Sequence, residues 1–175
     1  MRKKSLSLPS LIKRVAIQLK KENWLLATAE SCTGGALAAA FTDIPGSSSS
    51  FDRGFVTYNN QAKEQMLGVS KTLLDQHGAV SERVVQAMAK NAVQKSQANV
   101  AISTSGFAGP DGGEPDNPIG TVWIGVCLNN EIYAQKTCFE GSRKSVKQQA
   151  IRRAFQYLLE ILLSKSAKKN QIISH

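Results

Sequence analysis

Residues 27–35 read ATAESCTGG, and this stretch indicates the fold because it joins a predicted strand directly to a predicted helix. The apolar run that leads into it, WLLATAES at 24–31, has the composition of a short strand. The run that follows, TGGALAAAFT at 33–42, predicts a helix that Thr33 caps. A strand that passes directly into a helix is typical of an α/β unit. Since several polar side chains stand at this junction, we expect a ligand to be bound or attacked there.

Strands and helices alternate along the rest of the chain. The first 21 residues predict a helix whose apolar face consists of Leu8, Leu11, Ile12, Val15 and Leu19. Strands are predicted at 51–60, at 99–105 and in a hairpin that turns at Asn129 and Asn130, with helices at 62–69, 70–78, 81–97 and 142–163. This order predicts a three-layer α/β/α sandwich, and the closing hairpin makes its sheet mixed.

The length of 175 residues predicts a single domain over residues 1–175. Polar residues after Ser164 predict a disordered tail at about 165–175. Residues 106–120, GFAGPDGGEPDNPIG, are rich in turn-forming residues, and a loop of this length inside a compact domain is typically functional. No run approaches the ~20 apolar residues of a membrane span, so we expect no membrane partner.

The net charge of +9 is concentrated at the two ends of the chain. Residues 1–21 hold seven Lys and Arg and no acid, and residues 141–175 hold eight and one acid. Because no aromatic side chains alternate with these lysines, we interpret them as solvated helix faces and expect no nucleic-acid binding. Three cysteines, an odd number without metal-ligand spacing, indicate a reducing compartment, and we expect a cytoplasmic protein.

Candidate catalytic groups follow from where the strands end. In open α/β sheets, sites form at the carboxyl ends of strands, so AESCTGG, TYNNQAK and STSGFAGP are expected to converge. Only His77 and His175 are available as imidazoles, and His77 is expected to stabilise a helix C-terminus. A Ser-His-Asp triad and a histidine-rich metal site are therefore not expected. The spacing instead fits a dyad of Ser31 and Lys63.

The dyad requires a lysine with a lowered pKa. At the ordinary value of ~10.4, well under ~0.1% of a lysine is the free base at neutral pH. Burial or a second cation lowers this pKa, and Arg143 is a candidate for that cation. Tyr58, five residues before Lys63, is a candidate for passing protons or orienting the dyad.

Substrate-binding groups are predicted around the dyad. Backbone amides at Gly34, Gly35 and Gly106 are candidates for an oxyanion hole, and Thr104 lies near the carboxyl end of the third strand. Ser47 and Ser48, with the helix that starts near Thr33, are candidates for holding a phosphate. Alternatives remain open at this point: Thr33 can serve as a plain helix cap, Lys63 as a surface residue, and Cys32 as a rival nucleophile or a small buried thiol.

Six stretches together resemble the CinA C-terminal domain family: AESCTGG (29–35), TDIPGSSSSF (42–51), GFVTYNNQAKEQMLGV (54–69), HGAVSE (77–82), SGFAGPDGG (105–113) and PIGTVWIGV (118–126). The resemblance implies an α/β/α fold, often dimeric, and hydrolysis of the carboxamide of nicotinamide mononucleotide in pyridine nucleotide salvage, without a metal or cofactor. It carries a serine and lysine mechanism onto Ser31 and Lys63. Tyr58 and Arg143 fall on supporting positions, and Gly109 lies in the matching loop.

Two departures from the family pattern bear on function. Ser142 stands where the family usually has Asp, and Phe107 stands where a smaller aliphatic residue is usual. They motivate a second hypothesis, a catalytically weak nucleotide-binding module or a partner module associated with competence or damage. A third hypothesis, nucleic-acid binding through the basic terminal helices, predicts a steep salt dependence of affinity.

Overall fold

The computed structural model describes residues 6–173, without the side chains of 169–173. Its core is a five-stranded sheet in the order β2-β1-β3-β4-β5. The strands are β1 (Leu26–Glu30), β2 (Phe51–Val56), β3 (Val100–Gly106), β4 (Thr121–Leu128) and β5 (Glu131–Cys138). β1 pairs in parallel with β2 and β3, whereas β4 and β5 pair antiparallel. The predicted mixed sheet is confirmed.

Helices cover both faces of this sheet. They are α1 (Leu8–Glu22), α2 (Ala36–Thr42), α3 (Asn60–Leu67), α4 (Lys71–His77), α5 (Glu82–Gln94) and α6 (Arg143–Ile173). Apolar side chains of α1, α2 and α6 form one core with Leu26 of β1, and those of α3, α4 and α5 form a second core with Ala27 and Ala29. Because successive strand residues face opposite sides, β1 contributes to both cores, and the three-layer prediction is confirmed.

Local signals place several helix ends where the sequence predicted them. The buried residues of α1 are Leu11, Ile12, Val15 and Leu19, which belong to the predicted apolar face. Gly68 and Gly78 terminate α3 and α4, and Ser81 caps α5 with its side chain. Asn129 and Asn130 both have positive φ, as a tight hairpin turn requires.

Several element ends differ from the prediction. Strand β2 ends at Val56 instead of Asn60, which is the first residue of α3. Helix α2 begins at Ala36, because Gly34 and Gly35 before it have φ values of +61° and +93°. Helix α5 ends at Gln94 instead of Gln97. Helix α6 continues to Ile173, past the start of the predicted tail, and Ser166 donates to the Leu162 carbonyl there. Residues 174–175 of that tail lie outside the described residues.

The parallel strands bring their carboxyl ends to one edge of the sheet. There the Ser31 amide donates to the Thr104 carbonyl and the Thr57 amide to the Glu30 carbonyl, at 2.9 and 2.8 Å. The loop from 107 to 120 leaves β3 at the same edge and includes a short bridge between Glu114 and Asn117. The segments that follow β1, β2 and β3 therefore meet, as the topology predicted.

Candidate active site

A serine hydroxyl and a lysine amine meet at the carboxyl edge of the sheet. Ser31 follows β1 directly, and Lys63 lies on α3, the helix after β2. The Lys63 Nζ donates a hydrogen bond to the Ser31 Oγ at 3.1 Å. Both side chains are buried, with 8% of Ser31 and 1% of Lys63 exposed. The structure thus brings together the two residues of the predicted dyad.

Backbone carbonyls after β2 orient both groups. The Lys63 Nζ also donates to the Thr57 carbonyl at 3.1 Å, and the Ser31 Oγ donates to the Tyr58 carbonyl at 3.2 Å. The Asn59 side chain accepts from the Ala62 amide and fixes the first turn of α3. Hydrogen bonds to the Thr57 and Tyr58 carbonyls therefore orient the side chains of Lys63 and Ser31.

Burial lowers the pKa of the Lys63 ammonium below its ordinary value. Within residues 6–173, no carboxylate forms an ion pair with Lys63 that would raise this pKa back to its ordinary value. The sequence offered burial or the Arg143 cation as the cause, and the structure favours burial. Free amine is consequently present at a lower pH than for a solvated lysine, which is the condition for accepting a proton from Ser31.

Tyr58 and Arg143 form the outer wall of the site. The Arg143 Nη2 donates to the Tyr58 Oη at 2.5 Å, and its Nη1 donates to the Gly109 carbonyl at 2.8 Å. The Tyr58 side chain is 57% exposed, so its phenol lies at the mouth of the site. Tyr58 contacts the dyad through its carbonyl, and its hydroxyl contacts Arg143. The carbonyl therefore orients the dyad, a role predicted for the side chain.

Glu30 is the buried group that sequence reasoning missed. Its side chain is fully buried, and its carboxylate accepts five hydrogen bonds. Three donors are backbone amides at the start of α2, and two are the hydroxyls of Thr28 and Thr33. A carboxylate suits this position because the helix N-terminus carries partial positive charge. Its signal was an acid at the end of a buried strand, directly before a helix.

Thr33 and Thr104 belong to the same polar cluster. Both are fully buried, and their hydroxyls lie 2.8 Å apart. Thr33 donates to Glu30 at 2.7 Å, and Gly35 occupies the cap position of α2 that we predicted for Thr33. The two threonines therefore tie the turn after β1 to β3. Their predicted direct contact with substrate stays a prediction.

Two of the three backbone amides that we predicted to bind an oxyanion already donate hydrogen bonds within the protein. The Gly34 amide donates to the Ser31 carbonyl at 3.0 Å, and the Gly35 amide donates to Glu30 at 3.0 Å. Gly106 lies in β3 opposite Val122, where a Cβ would stand 2.5 Å from the Thr121 carbonyl oxygen. Close approach of two strands thus explains this glycine. The three residues shape the turn and the strand end.

Ser47 and Ser48 lie at the opposite edge of the sheet from the dyad. They belong to a 3₁₀ turn at Ser47–Ser49 that precedes the first residue of β2. Within one chain the length of β2 separates them from the dyad, and their role in holding a phosphate stays a prediction. Helix α2 leads away from the dyad, so the loop that follows α2 reaches the amino ends of the strands.

Cys32 and the histidines take structural positions. Cys32 packs in the core of α1, α2 and α6, and burial raises the pKa of its thiol to about 12. The thiolate needed for attack is therefore scarce at neutral pH. His77 ends α4, as predicted. Within residues 6–173, no group of three or more His, Cys, Asp and Glu side chains could hold a metal ion.

Sequence comparison identifies the family of this chain. A sequence model of the CinA C-terminal domain matches residues 9–162. The chain belongs to the CinA C-terminal domain family. It is 50% identical over 137 residues to the nicotinamide-nucleotide amidohydrolase PncC of Enterobacter agglomerans, covering 78% of this chain and 84% of that protein. It is 48% identical over 157 residues to PncC of Escherichia coli, covering 89% and 95%.

The fold agrees with this family membership. A crystal structure of a CinA superfamily protein from Klebsiella pneumoniae superposes with a TM-score of 0.87 at 40% sequence identity, covering 91% of this chain and 99% of that one. Among the described residues, none of the helices has the length and apolar composition that a membrane span requires.

Proposed function

We propose that this chain hydrolyses the carboxamide of nicotinamide mononucleotide to nicotinate mononucleotide and ammonia, with Ser31 as nucleophile and Lys63 as base. The observation that carries the proposal is the 3.1 Å hydrogen bond between a buried lysine of lowered pKa and a serine hydroxyl. The names of relatives at 48–50% identity supply the substrate.

The first half of the reaction forms an ester on Ser31. The neutral Lys63 amine takes the hydroxyl proton while the Ser31 Oγ bonds to the amide carbon. The tetrahedral intermediate collapses, the C–N bond breaks, and the Lys63 ammonium returns its proton to the departing nitrogen as ammonia leaves. One buried amine therefore serves as base and then as acid.

The second half uses water. Neutral Lys63 takes a proton from a water molecule, whose oxygen bonds to the acyl carbon, and the bond to the Ser31 Oγ breaks as Lys63 returns the proton to it. Nicotinate mononucleotide leaves and the serine hydroxyl is restored. Each step moves the proton between Lys63 and the reacting atoms.

The turn after Ser31 also offers donors for the developing oxyanion. The backbone amides of Gly34 and Gly35 are engaged with the Ser31 carbonyl and with Glu30. The amide that follows a nucleophile directly is a common oxyanion donor in strand-to-helix turns. We therefore propose the amide that follows Ser31 as an oxyanion donor, in place of the engaged glycine amides.

Ammonia release from nicotinamide mononucleotide at neutral pH tests this function. Wild type is expected to release ammonia, and Ser31→Ala is expected to release almost none. Ser49→Ala, a serine exchange at the opposite edge of the sheet, is the matched control and is expected to keep full activity. A Ser31→Ala variant that folds and keeps more than a few per cent of wild-type turnover would end the mechanism.

The wild-type result separates the enzyme from the alternative binding module. Tight nucleotide binding by calorimetry without ammonia release would favour a module that keeps the site and lacks turnover. A homodimer and a cytoplasmic location stay predictions of the family resemblance and of the cysteine usage.

A further inference from the structure

A basic pocket adjoins the active site on the side away from Lys63. Its volume is about 470 Å³, and Ala36 of α2 and the first turns of α6 line it. The lining residues on α6 are Arg143, Lys144, Lys147, Gln148 and Ile151. Three of these side chains are cationic, so the pocket presents positive charge to solvent.

Two of the cations reach the segments that form the site. The Lys147 Nζ lies 3.7 Å from the position of a Cβ built on Gly34, whose amide donates to the Ser31 carbonyl. Arg143 contacts Tyr58 and the Gly109 carbonyl at the mouth of the site. The positive charge of Lys147 also acts on the pKa of Cys32, the residue after the nucleophile. The pocket and the dyad therefore share the same turn.

No acidic side chain neutralises these cations within the described residues. The ion pairs there involve other residues, and the first turn of α6 contains no acid. Arg143 and Lys144 are exposed and Lys147 is half-buried. Unpaired cations in a concave surface attract an anion, and phosphate oxygens accept several such charge-assisted hydrogen bonds at once.

We propose that Lys147, with Arg143 and Lys144, binds the phosphate of a nucleotide whose amide carbon lies at Ser31. The inference rests on the proposed function, because it places the two ends of that substrate. Within one chain, the six residues of β2 separate the serine turn at 47–49 from the dyad by about 20 Å.

The test compares two substrates that differ only in the phosphate. Lys147→Gln is expected to raise KM for nicotinamide mononucleotide about tenfold or more, with a smaller change in kcat. For nicotinamide riboside, which lacks the phosphate, the same variant is expected to keep the wild-type kcat/KM. Lys20→Gln, which removes a lysine at the opposite edge of the sheet, is expected to match wild type with both substrates.

Two outcomes would overturn the phosphate site. One is an equal loss of kcat/KM with both substrates, which would mean that Lys147 supports the turn and not the phosphate. The other is no loss with either substrate.

Binding without turnover separates this inference from the proposed function. If wild type releases no ammonia, calorimetry with nicotinate mononucleotide and with inorganic phosphate still tests the pocket. Weaker binding of both by Lys147→Gln, with Lys20→Gln unchanged, supports the pocket while the proposed function fails. Equal affinity of wild type and Lys147→Gln overturns it. Matched thermal unfolding of the variants checks that each is folded.

Discussion

Two charged side chains are buried at the same edge of the sheet, on opposite faces, and their surroundings differ. Glu30 contacts the start of α2 and accepts five hydrogen bonds from amides and hydroxyls. Lys63 projects from α3 and contacts one hydroxyl and two backbone carbonyls. Neither forms an ion pair within residues 6–173.

The difference separates a charge that stabilises the fold from one that is available for chemistry. Charge-assisted bonds to amides offset the desolvation of the Glu30 carboxylate, so its oxygens are occupied. The neutral acceptors around Lys63 offset less of the desolvation of its ammonium group than the amides offset for Glu30. Burial therefore lowers the Lys63 pKa. Removing Glu30 should chiefly reduce stability, whereas removing Lys63 should chiefly reduce turnover.

The largest effect is expected on turnover in Lys63→Met. Loss of the base should lower ammonia release about 10²–10⁴-fold. The free energy of unfolding from urea titration should stay equal or rise, because a methionine fills the space without the desolvation of an ammonium. Lys71→Met, on the neighbouring helix α4, should keep wild-type turnover. Marked destabilisation of Lys63→Met would remove the contrast with Glu30.

The next largest effect is expected on stability in Glu30→Gln. The amide keeps the shape, but it brings an NH₂ group toward hydrogen-bond donors and removes the charge. We expect the free energy of unfolding to fall by about 2–4 kcal/mol, measured by urea denaturation. Glu82→Gln, at the exposed start of α5, should cost less than about 1 kcal/mol. Equal losses of unfolding free energy in the two variants would show that the buried hydrogen bonds of Glu30 do not contribute to stability.

The pH dependence follows from the direction of the Lys63 shift. Only the neutral amine accepts the serine proton, so kcat/KM should rise about tenfold per pH unit below the Lys63 pKa and level off above it. Because that pKa is lowered, the plateau should begin at a lower pH than for a solvated lysine. A flat profile down to pH 5, with full activity, would contradict Lys63 as base.

The same shift predicts a pH-dependent stability. The folded protein binds the Lys63 proton less tightly than the unfolded chain does, so the cost of burying the ammonium is full below the folded pKa. It declines as pH rises from that pKa to the ordinary value near ~10.4. The stability of wild type relative to Lys63→Met should therefore increase with pH over this window.

Sequence patterns were sufficient for the dyad because strand ends fix its position. Ser31 and Lys63 each follow a parallel strand, and parallel strands end at one edge. An acid at the end of a buried strand was the only sequence signal for Glu30, since its five donors come together only when α2 is placed against β1. The serines at 47 and 48 do not reach the dyad within one chain, because a loop that joins a helix to the next parallel strand lies at the amino edge.

Cys32 should show the smallest effect and extends the comparison to a third buried titratable group. It lies beside Ser31 in sequence but packs in the apolar core, and burial raises the pKa of its thiol to about 12. Cys32→Ala should keep turnover within about twofold and lose about 1 kcal/mol of stability. Iodoacetamide on the native protein should label exposed Cys138 and spare Cys32, as mass spectrometry would show. Rapid labelling of Cys32 with loss of turnover would instead make the thiol a rival of Ser31. Burial alone would then not be enough to make the Cys32 thiol unreactive at this edge of the sheet.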